Sequence, residues 1–428
     1  MRNYIYIHSK FYDLDKIKKE HPGGCLKIFN CLENVEDCTP LFESSHAMKD
    51  VTTIYELMKA FEIQEKDYPK FNITSDLLNS KKLLKKFNFT TYHKISDLVR
   101  KELKRKYKVN TLWYFKVIFL FILYIYFFVH GLILNEFCNY LKYLCAFVSG
   151  WLWVCIGFCT MHDGSHYGLF NTKSKNIILN NDVISSIWHG WGLWNSYIWF
   201  KHHTYGHHSF TGMFGKDPDV IHGRPLFRKN RSDTKIIKFL GQIQDKVILI
   251  FLFLPGTYVA QILAYFVGML RGHIWKVGIK HAFKHTPIYE KILYFISLSI
   301  LIFNSNYFTV FFYLTAANIN YAICIVPDHD TFESTIENDT DTDDWAEMQI
   351  RKAANFSHNS TIFTELNGGI NLQIEHHLFP TVAHSHYEKV FPIVKSYCEK
   401  NGIPYVQKNN LFEVFQSYRK MLNYTKVK

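Results

Sequence analysis

A long apolar stretch limits what this sequence can fold into. Residues 111–134 read "TLWYFKVIFLFILYIYFFVHGLIL" and contain one charged side chain, Lys116. A helix of about 20 apolar residues crosses the hydrocarbon core of a bilayer. This run therefore predicts a membrane span, and further apolar runs predict spans near 140–161, 290–304 and 307–326.

The charges beside these runs predict their orientation. Residues 101–108 are strongly basic, whereas the connection after the first run holds Glu136 and neither lysine nor arginine. Basic loops stay on the cytosolic side, so we expect the N-terminus there. The run at 247–269 is basic on both flanks and is interrupted by Pro255 and Gly256, which predicts a re-entrant or interfacial segment. Four spans then place both chain ends and the histidine-rich stretches in the cytosol.

The amino-acid composition indicates which kind of surface the protein binds. The net charge is +12, but aromatic residues make up 17% of the 428 and basic residues flank the apolar runs. This pattern favours an anionic membrane surface, and no nucleic-acid partner is expected. A mean hydropathy of -0.08 requires a large polar portion besides the spans. The nine cysteines include no Cys-x-x-Cys pair, which indicates a reducing compartment and no disulfide framework.

Three histidine clusters lie beside the predicted spans. Their imidazoles are those of His162, His166, His203, His207, His208, His376 and His377. One such pair is typical of an ordinary helix surface, but three clusters on one side of a membrane are not. Residues four apart share a helical face, whereas adjacent residues point about 100° apart. His376 and His377 can both bind metal if two ions lie close together. Imidazole suits iron, zinc and copper.

In the middle cluster, the spacing along a helix predicts which histidines bind metal and which do not. His203 precedes His207 by four residues, which predicts that both lie on one face. His202 lies five and six residues before His207 and His208, so it is not expected to bind metal.

Polar residues beside the clusters are candidates for supporting roles. Gln373 opens the third cluster three residues before His376 and is a further candidate ligand. The carboxylates of Asp163 and Glu375 are candidates to accept the second ring N–H of a ligand and fix its tautomer.

The N-terminal segment holds a different histidine pair. His21 precedes Pro22, Gly23 and Gly24, and His46 follows 25 residues later. Two neutral imidazoles can bind both faces of a haem iron, which favours electron transfer. Glycines allow the backbone to pass close to a flat macrocycle. A turn with a solvated histidine is the alternative.

The three clusters resemble the histidine boxes of the membrane fatty acid desaturase family over about residues 110–400. Residues 4–64 resemble the cytochrome b5 haem-binding domain, and this fusion, with Gln373 opening the third box, is similar to front-end desaturases. The resemblance implies a diiron enzyme that uses O2 and two electrons to insert a cis double bond into an acyl-CoA or acyl-lipid. An unactivated C–H bond requires such a metal-based oxidant.

Further expectations follow from the resemblance. It implies haem b bound by His21 and His46, NADH-cytochrome b5 reductase as electron donor, and an endoplasmic reticulum membrane with cytosolic boxes. His329 in "VPDHD" is a candidate eighth imidazole for the irons, with a supporting or surface role as the alternative. Family members usually carry asparagine where Gly212 stands.

The expected fold is mainly α-helical: a polytopic membrane domain with a cytosolic histidine cap, preceded by a small α+β domain. The expected segments are a haem-binding domain at 1–70, a basic linker and juxtamembrane segment at 71–108, and the desaturase domain at 109–428. Alternatives that the sequence leaves open are a sphingoid-base desaturase, a diiron lipid hydroxylase, a membrane-tethered haem electron carrier, and a zinc or copper transporter.

Overall fold

The computed structural model describes residues 3–22, 27–32, 37–82, 86–134, 137–171, 179–338 and 341–427. Gly23 and Gly24, which are expected beside a haem, lie outside these residues, as does Glu136.

The N-terminal segment combines a β-hairpin with short helices. Strands Tyr4–Ile7 and Lys10–Asp13 pair antiparallel. Asp13 then starts the next helix, because its carboxylate accepts a hydrogen bond from the Lys16 amide. The helices of this segment are Leu14–Glu20, Ile28–Cys31, Thr39–Ser45, Val51–Lys59 and Ser75–Lys82, with a 3-10 helix at Glu65–Phe71.

Three helices among the described residues are long and apolar enough to cross a membrane. They are Thr111–Ile133, Asn139–Ser165 and Tyr307–Glu337. The first exposes many large apolar side chains, including Leu112, Phe115 and Phe119, as a lipid-facing helix does. The protein is therefore a mainly helical membrane protein.

The fourth expected span, near 290–304, is not confirmed. The structure has a helix of 15 residues there, Ile288–Ile302, which is about 22 Å long against a hydrocarbon core of about 30 Å. The run at 247–269 forms two helices, Gln244–Phe253 and Gly256–Arg271, that are separated at Pro255. The expected break is present, but the membrane depth of this segment stays a prediction.

The remaining elements form a cap around the ends of the long helices. Its α-helices are Thr90–Leu103, Asn181–Trp191, Ser196–Trp199, His208–Phe210, Lys238–Gln242, Ala282–His285, Trp345–Arg351, Thr361–Leu366, Gln373–Leu378, Tyr387–Asn401 and Leu411–Thr425. Short strands pair His273–Ile274 with Val277–Gly278, and Ala354–Phe356 in parallel with Val406–Lys408. Short 3-10 helices lie at Pro218–Val220 and His384–His386. Wider π-helical turns occur at Val129–Ile133, Phe158–His162, Phe200–His207 and Glu333–Glu337.

The N-terminal segment packs directly on the membrane domain. Lys27 donates a hydrogen bond to the Ser186 hydroxyl (2.8 Å) and lies 3.4 Å from the carboxylate of Glu290. The hydroxyl of Tyr205, inside the second histidine box, donates to the carbonyl of Asp37 (3.0 Å). The contact of Tyr205 joins the N-terminal segment to a histidine box, whereas the contacts of Lys27 join it to the helices Asn181–Trp191 and Ile288–Ile302.

Candidate metal centre

The structure brings the predicted metal ligands into two adjacent buried groups. The first group contains His162, His166, His203 and His376, whose candidate ligand nitrogens all lie within 4.8 Å of one another. His208 joins it, because its Nε2 lies 3.3 Å from Nε2 of His203 and 3.1 Å from Nε2 of His376.

The second group contains the two additional candidates from the sequence. His207, His329 and His377 place nitrogens within the same 4.8 Å limit, and the Gln373 amide lies 3.0 Å from Nε2 of His329. His329 is partly buried and faces this group rather than the surface.

The adjacent histidines of the third box separate between the groups. His376 and His377 lie in the helix Gln373–Leu378 with their ring planes 90° apart. One ring therefore reaches each group, as the sequence predicted.

The middle box follows a different register from the predicted α-helix. Residues Phe200–His207 form a π-helix, in which hydrogen bonds close between residues five apart. His203 consequently meets His208 in the first group, while His207 enters the second. The sequence spacing favoured His203 over His202 as a ligand, and the structure places His203 in the first group. The turn is π-helical rather than α-helical, but His203 still lies beside His207, with ring centroids 5.5 Å apart.

His202 lies outside both groups. Its Nδ1 is 2.9 Å from the Tyr265 hydroxyl and its Nε2 contacts Asp219. With Asp219 and His222 it forms a separate cluster of potential metal donors.

Hydrogen bonds hold the outer nitrogens of several ligands. Nδ1 of His207 is 3.2 Å from both carboxylate oxygens of Asp217, and Nδ1 of His377 is 2.8 Å from Oε1 of Gln349. Nδ1 of His329 donates to the Lys352 carbonyl at 2.8 Å, and Nδ1 of His376 is 3.1 Å from the Tyr387 hydroxyl. With Nδ1 engaged, each ring can direct Nε2 toward a metal.

The two carboxylates expected in this supporting role do not fill it. Glu375 lies on the opposite side of its helix and accepts hydrogen bonds from Asn355 and Tyr405, both at 2.7 Å. The carboxylate of Asp163 is 3.9 Å from the nearest nitrogen of His162 and instead pairs with His384 at 2.6 Å. Adjacency in sequence was misleading, because successive helical residues diverge.

Electrostatics favour neutral rings at this site. Burial, reinforced by neighbouring histidines, holds the pKa values of His166, His203 and His208 well below the usual range. The same causes lower the pKa values of His376 and His377. Neutral imidazole is the form that binds metal.

Buried donor atoms at the centre also fit a metal. Nε2 of His166, Nε2 of His377 and Oε1 of Gln373 have no hydrogen-bond partner among the described residues. An unsatisfied buried polar atom is costly unless a ligand or ion completes it. The site can thus hold metal ions of the kind that imidazole prefers.

A cavity of about 260 Å³ opens beside the two groups. His203 and His207 line one part of it, and Trp199, Tyr321 and Ile325 provide apolar walls. Charged side chains also line this cavity, so an alkyl chain would contact only its apolar part.

The fatty acid desaturase family model matches residues 139–409, which include all three histidine boxes. The chain belongs to the fatty acid desaturase family. It is therefore an oxidoreductase of lipid metabolism, which disfavours both the haem electron carrier and the metal transporter.

Named relatives of this desaturase include the acyl-lipid (8-3)-desaturase of Mortierella alpina, with 24% identity over 97% of this chain and 92% of the relative. The Delta(5) fatty acid desaturase A of Dictyostelium discoideum is 25% identical over 97% and 89%, respectively. The sn-1 linoleoyl-lipid 6-desaturase of Arthrospira platensis is 26% identical over 64% of this chain and 75% of its own length.

One departure from the usual family sequence has a structural explanation. Gly212 has a φ of +72°, and its amide donates to Asp217 at 2.7 Å. Asparagine tolerates this left-handed conformation better than most residues, so glycine and asparagine both meet the backbone requirement here.

A charged network beside the first box was missed by the sequence analysis. His384 is fully buried and joins Asp163 to Lys116, whose ammonium lies 2.8 Å from Nε2 of His384. Lys116 also pairs with Glu365 at 2.5 Å. The available signal was Lys116 itself, because a charge within a membrane span usually has a buried partner.

The N-terminal histidines line a second cavity in this desaturase. The ring centroids of His21 and His46 lie 6.2 Å apart with an interplanar angle of 66°. Nδ1 of His46 is 2.7 Å from the carbonyl of Phe42. The cavity measures about 360 Å³, and Leu32 and Phe42 are among its many apolar walls.

Proposed function

We propose that this protein is a front-end acyl-lipid desaturase. It removes two hydrogens from adjacent methylenes of an acyl chain, and O2, two electrons and two protons become two waters. The observation that carries the proposal is the pair of adjacent imidazole groups beside a cavity that apolar side chains line in part. The names of the relatives support an acyl-lipid substrate over a sphingoid base.

The two buried groups are the proposed iron sites. His162, His166, His203, His208 and His376 bind one iron. His207, His329, His377 and Gln373 bind the other. When bound, the iron pair supplies the O2-dependent oxidation of the unactivated C–H bond.

The surrounding side chains position the reactants. Asp217 and Gln349 keep the second-group imidazoles oriented, and Trp199 and Tyr321 confine the acyl chain beside both groups. A fixed path from the head group to the irons selects the carbon, because a misplacement of about 1 Å can cost 10²-fold in rate.

Electron delivery is assigned to the N-terminal segment. A metal-bound imidazole nitrogen lies about 2 Å from its ion, so two rings on opposite sides of one ion have centroids about 6 Å apart. The separation of 6.2 Å between His21 and His46 fits this arrangement, and the apolar cavity suits the macrocycle of haem b. NADH-cytochrome b5 reductase is the proposed donor to this haem.

We assign the protein to the endoplasmic reticulum membrane, with its termini and histidine boxes in the cytosol. The two short helices on either side of Pro255 support a non-crossing segment at 247–269. A glycosylation tag near residue 280 should remain unmodified. Efficient modification would show that this segment crosses the bilayer.

The decisive experiment is expression in a host that lacks polyunsaturated lipids, with two precursors fed that differ by two carbons. A front-end enzyme should place the new double bond at the same carbon counted from the carboxyl group. A constant distance from the methyl end would contradict the front-end assignment, and a product that gains oxygen would identify a hydroxylase.

A further inference from the structure

Residues outside the N-terminal segment close one side of the cavity that holds His21 and His46. Most of its walls are apolar side chains of residues 5–61, but Tyr107, Lys108, Tyr167, Asn171 and Thr381 close one side. The haem-binding segment and the membrane domain therefore share this cavity.

Two lysines line the cavity without an acidic residue among its described lining residues. Lys49 and Lys108 are the only lysines or arginines among its described lining residues, which include no aspartate or glutamate. Lys108 donates hydrogen bonds to the carbonyls of Tyr167 (2.5 Å) and Thr381 (3.0 Å). An ammonium has three N–H donors, so these two carbonyls leave one donor for another acceptor.

The surroundings of Lys108 favour an added anion. Burial, together with the positive charge of Lys49, lowers the pKa of Lys108 to about 7, while Asp163 opposes this effect. Asp163 is already bound to His384, and no carboxylate among the described residues forms an ion pair with Lys108. A ligand that brings negative charge to this edge would relieve the repulsion between the lysines.

We propose that Lys108 and Lys49 bind the propionate carboxylates of the haem, so that the cofactor bridges the N-terminal segment and the desaturase domain. This inference rests on the proposed function, since it requires haem between His21 and His46. Haem b has two carboxylates on one edge and is apolar elsewhere, which matches a cavity with apolar walls and one cationic side.

The proposed contact also orients the haem toward the metal centre. The carbonyl that Lys108 holds belongs to Tyr167, which directly follows the first-group residue His166. Lys108 would thus connect the carboxylate edge of the haem to the backbone beside one proposed iron ligand.

The test measures how fast the full-length, haem-loaded protein in detergent loses haem to an excess of a haem-binding acceptor protein. Haem b is compared with its dimethyl ester, which has the same macrocycle but no anionic carboxylates. The variants are Lys108→Gln, Lys108→Arg and Lys49→Gln. Lys106→Gln is the matched control, because Lys106 is exposed and belongs to the same basic segment.

Lys108→Gln should lose haem b roughly tenfold faster than wild type, since a charge-assisted hydrogen bond is removed. It should lose the dimethyl ester no faster than wild type does. Lys49→Gln should show a smaller effect of the same kind, and Lys108→Arg and Lys106→Gln should resemble wild type.

Equal acceleration for haem b and its ester would overturn the proposal, because it would indicate general loosening of the cavity. Unchanged haem loss in both glutamine variants, with an intact bis-histidine spectrum, would also overturn it while leaving the proposed electron route standing. A wild-type protein that takes up no haem would contradict the haem assignment and this inference together.

Discussion

The two histidine sites of this protein differ in how their imidazole rings are held in place. At the metal centre, the imidazoles come from several separate elements, and buried polar partners such as Asp217 and Gln349 hold their outer nitrogens. In the N-terminal cavity there are two imidazoles, one of them held by a backbone carbonyl, within mostly apolar walls. The difference follows from what each site would bind. Bare ions depend on side chains for all their protein contacts, whereas a macrocycle adds a large apolar surface.

Loss of one imidazole from the metal centre should have the largest effect on that site and should leave the N-terminal site unchanged. His203→Ala should abolish product and lower non-haem iron, because this ring contacts His162 and His208 at the centre of the first group. The haem spectrum should persist, since the two cavities share no ligand. Metal analysis, absorption spectra and fatty acid profiles check these outcomes.

His202→Gln is the matched control for that variant. His202 is equally buried but faces Tyr265 and Asp219, so the variant should keep its iron and some activity. Iron loss equal to that of His203→Ala would contradict the assignment of ligands.

Loss of an imidazole from the N-terminal site tests the same comparison from the other side. His46→Ala should remove the low-spin haem spectrum and lower product in cells, while non-haem iron stays at the wild-type level. Loss of both metals in this variant would show that the sites depend on each other for folding.

Removal of a supporting partner should have an intermediate effect. Asp217→Asn weakens the hydrogen bonds that orient His207, and such changes typically cost 10–100-fold in metal affinity. Iron retention during dialysis against a chelator measures this loss. Asp233→Asn is a useful comparison, since Asp233 is also buried but pairs with Arg224; it should retain iron.

An effect confined to the N-terminal segment is expected to depend on pH. Burial opposes ionisation of Glu43, but hydrogen bonds from His8, His93 and Tyr55 lower its pKa from 4.5 to about 2. Because the folded-state pKa lies below the unfolded value, Glu43 stabilises the fold fully above pH 4.5 and loses this contribution as the pH falls toward 2. The contribution is about 3 kcal/mol at most.

Pepsin cleavage within residues 3–82 can measure this effect. Glu43→Gln should be cleaved faster than wild type near pH 4.5, and the ratio of the two rates should approach one near pH 2. A ratio that does not depend on pH would mean that the Glu43 charge does not stabilise this segment.

The sequence indicated the histidines that the structure brings together better than it indicated the residues that hold them in place. Histidine clusters, Gln373 and His329 were recognisable because metal binding restricts residue type and spacing. The partners Asp217, Gln349 and Tyr387 reach the site from distant segments, and nothing local marks them. The fourth span stays a prediction, because the helix Ile288–Ile302 ends before Phe303 and Asn304, which belong to the apolar run.

The π-helical turn at Phe200–His207 makes the number of residues in the middle box as important as their identity. Deletion of Thr204 would preserve every histidine. It would nevertheless place His208 four residues after His203, the spacing of an α-helical turn, instead of the five residues that the π-helical turn spans. His203 and His208 could then meet only if the backbone between them changed from a π-helical to an α-helical turn. The positions of the imidazoles in this region therefore depend on the spacing between them as well as on their number.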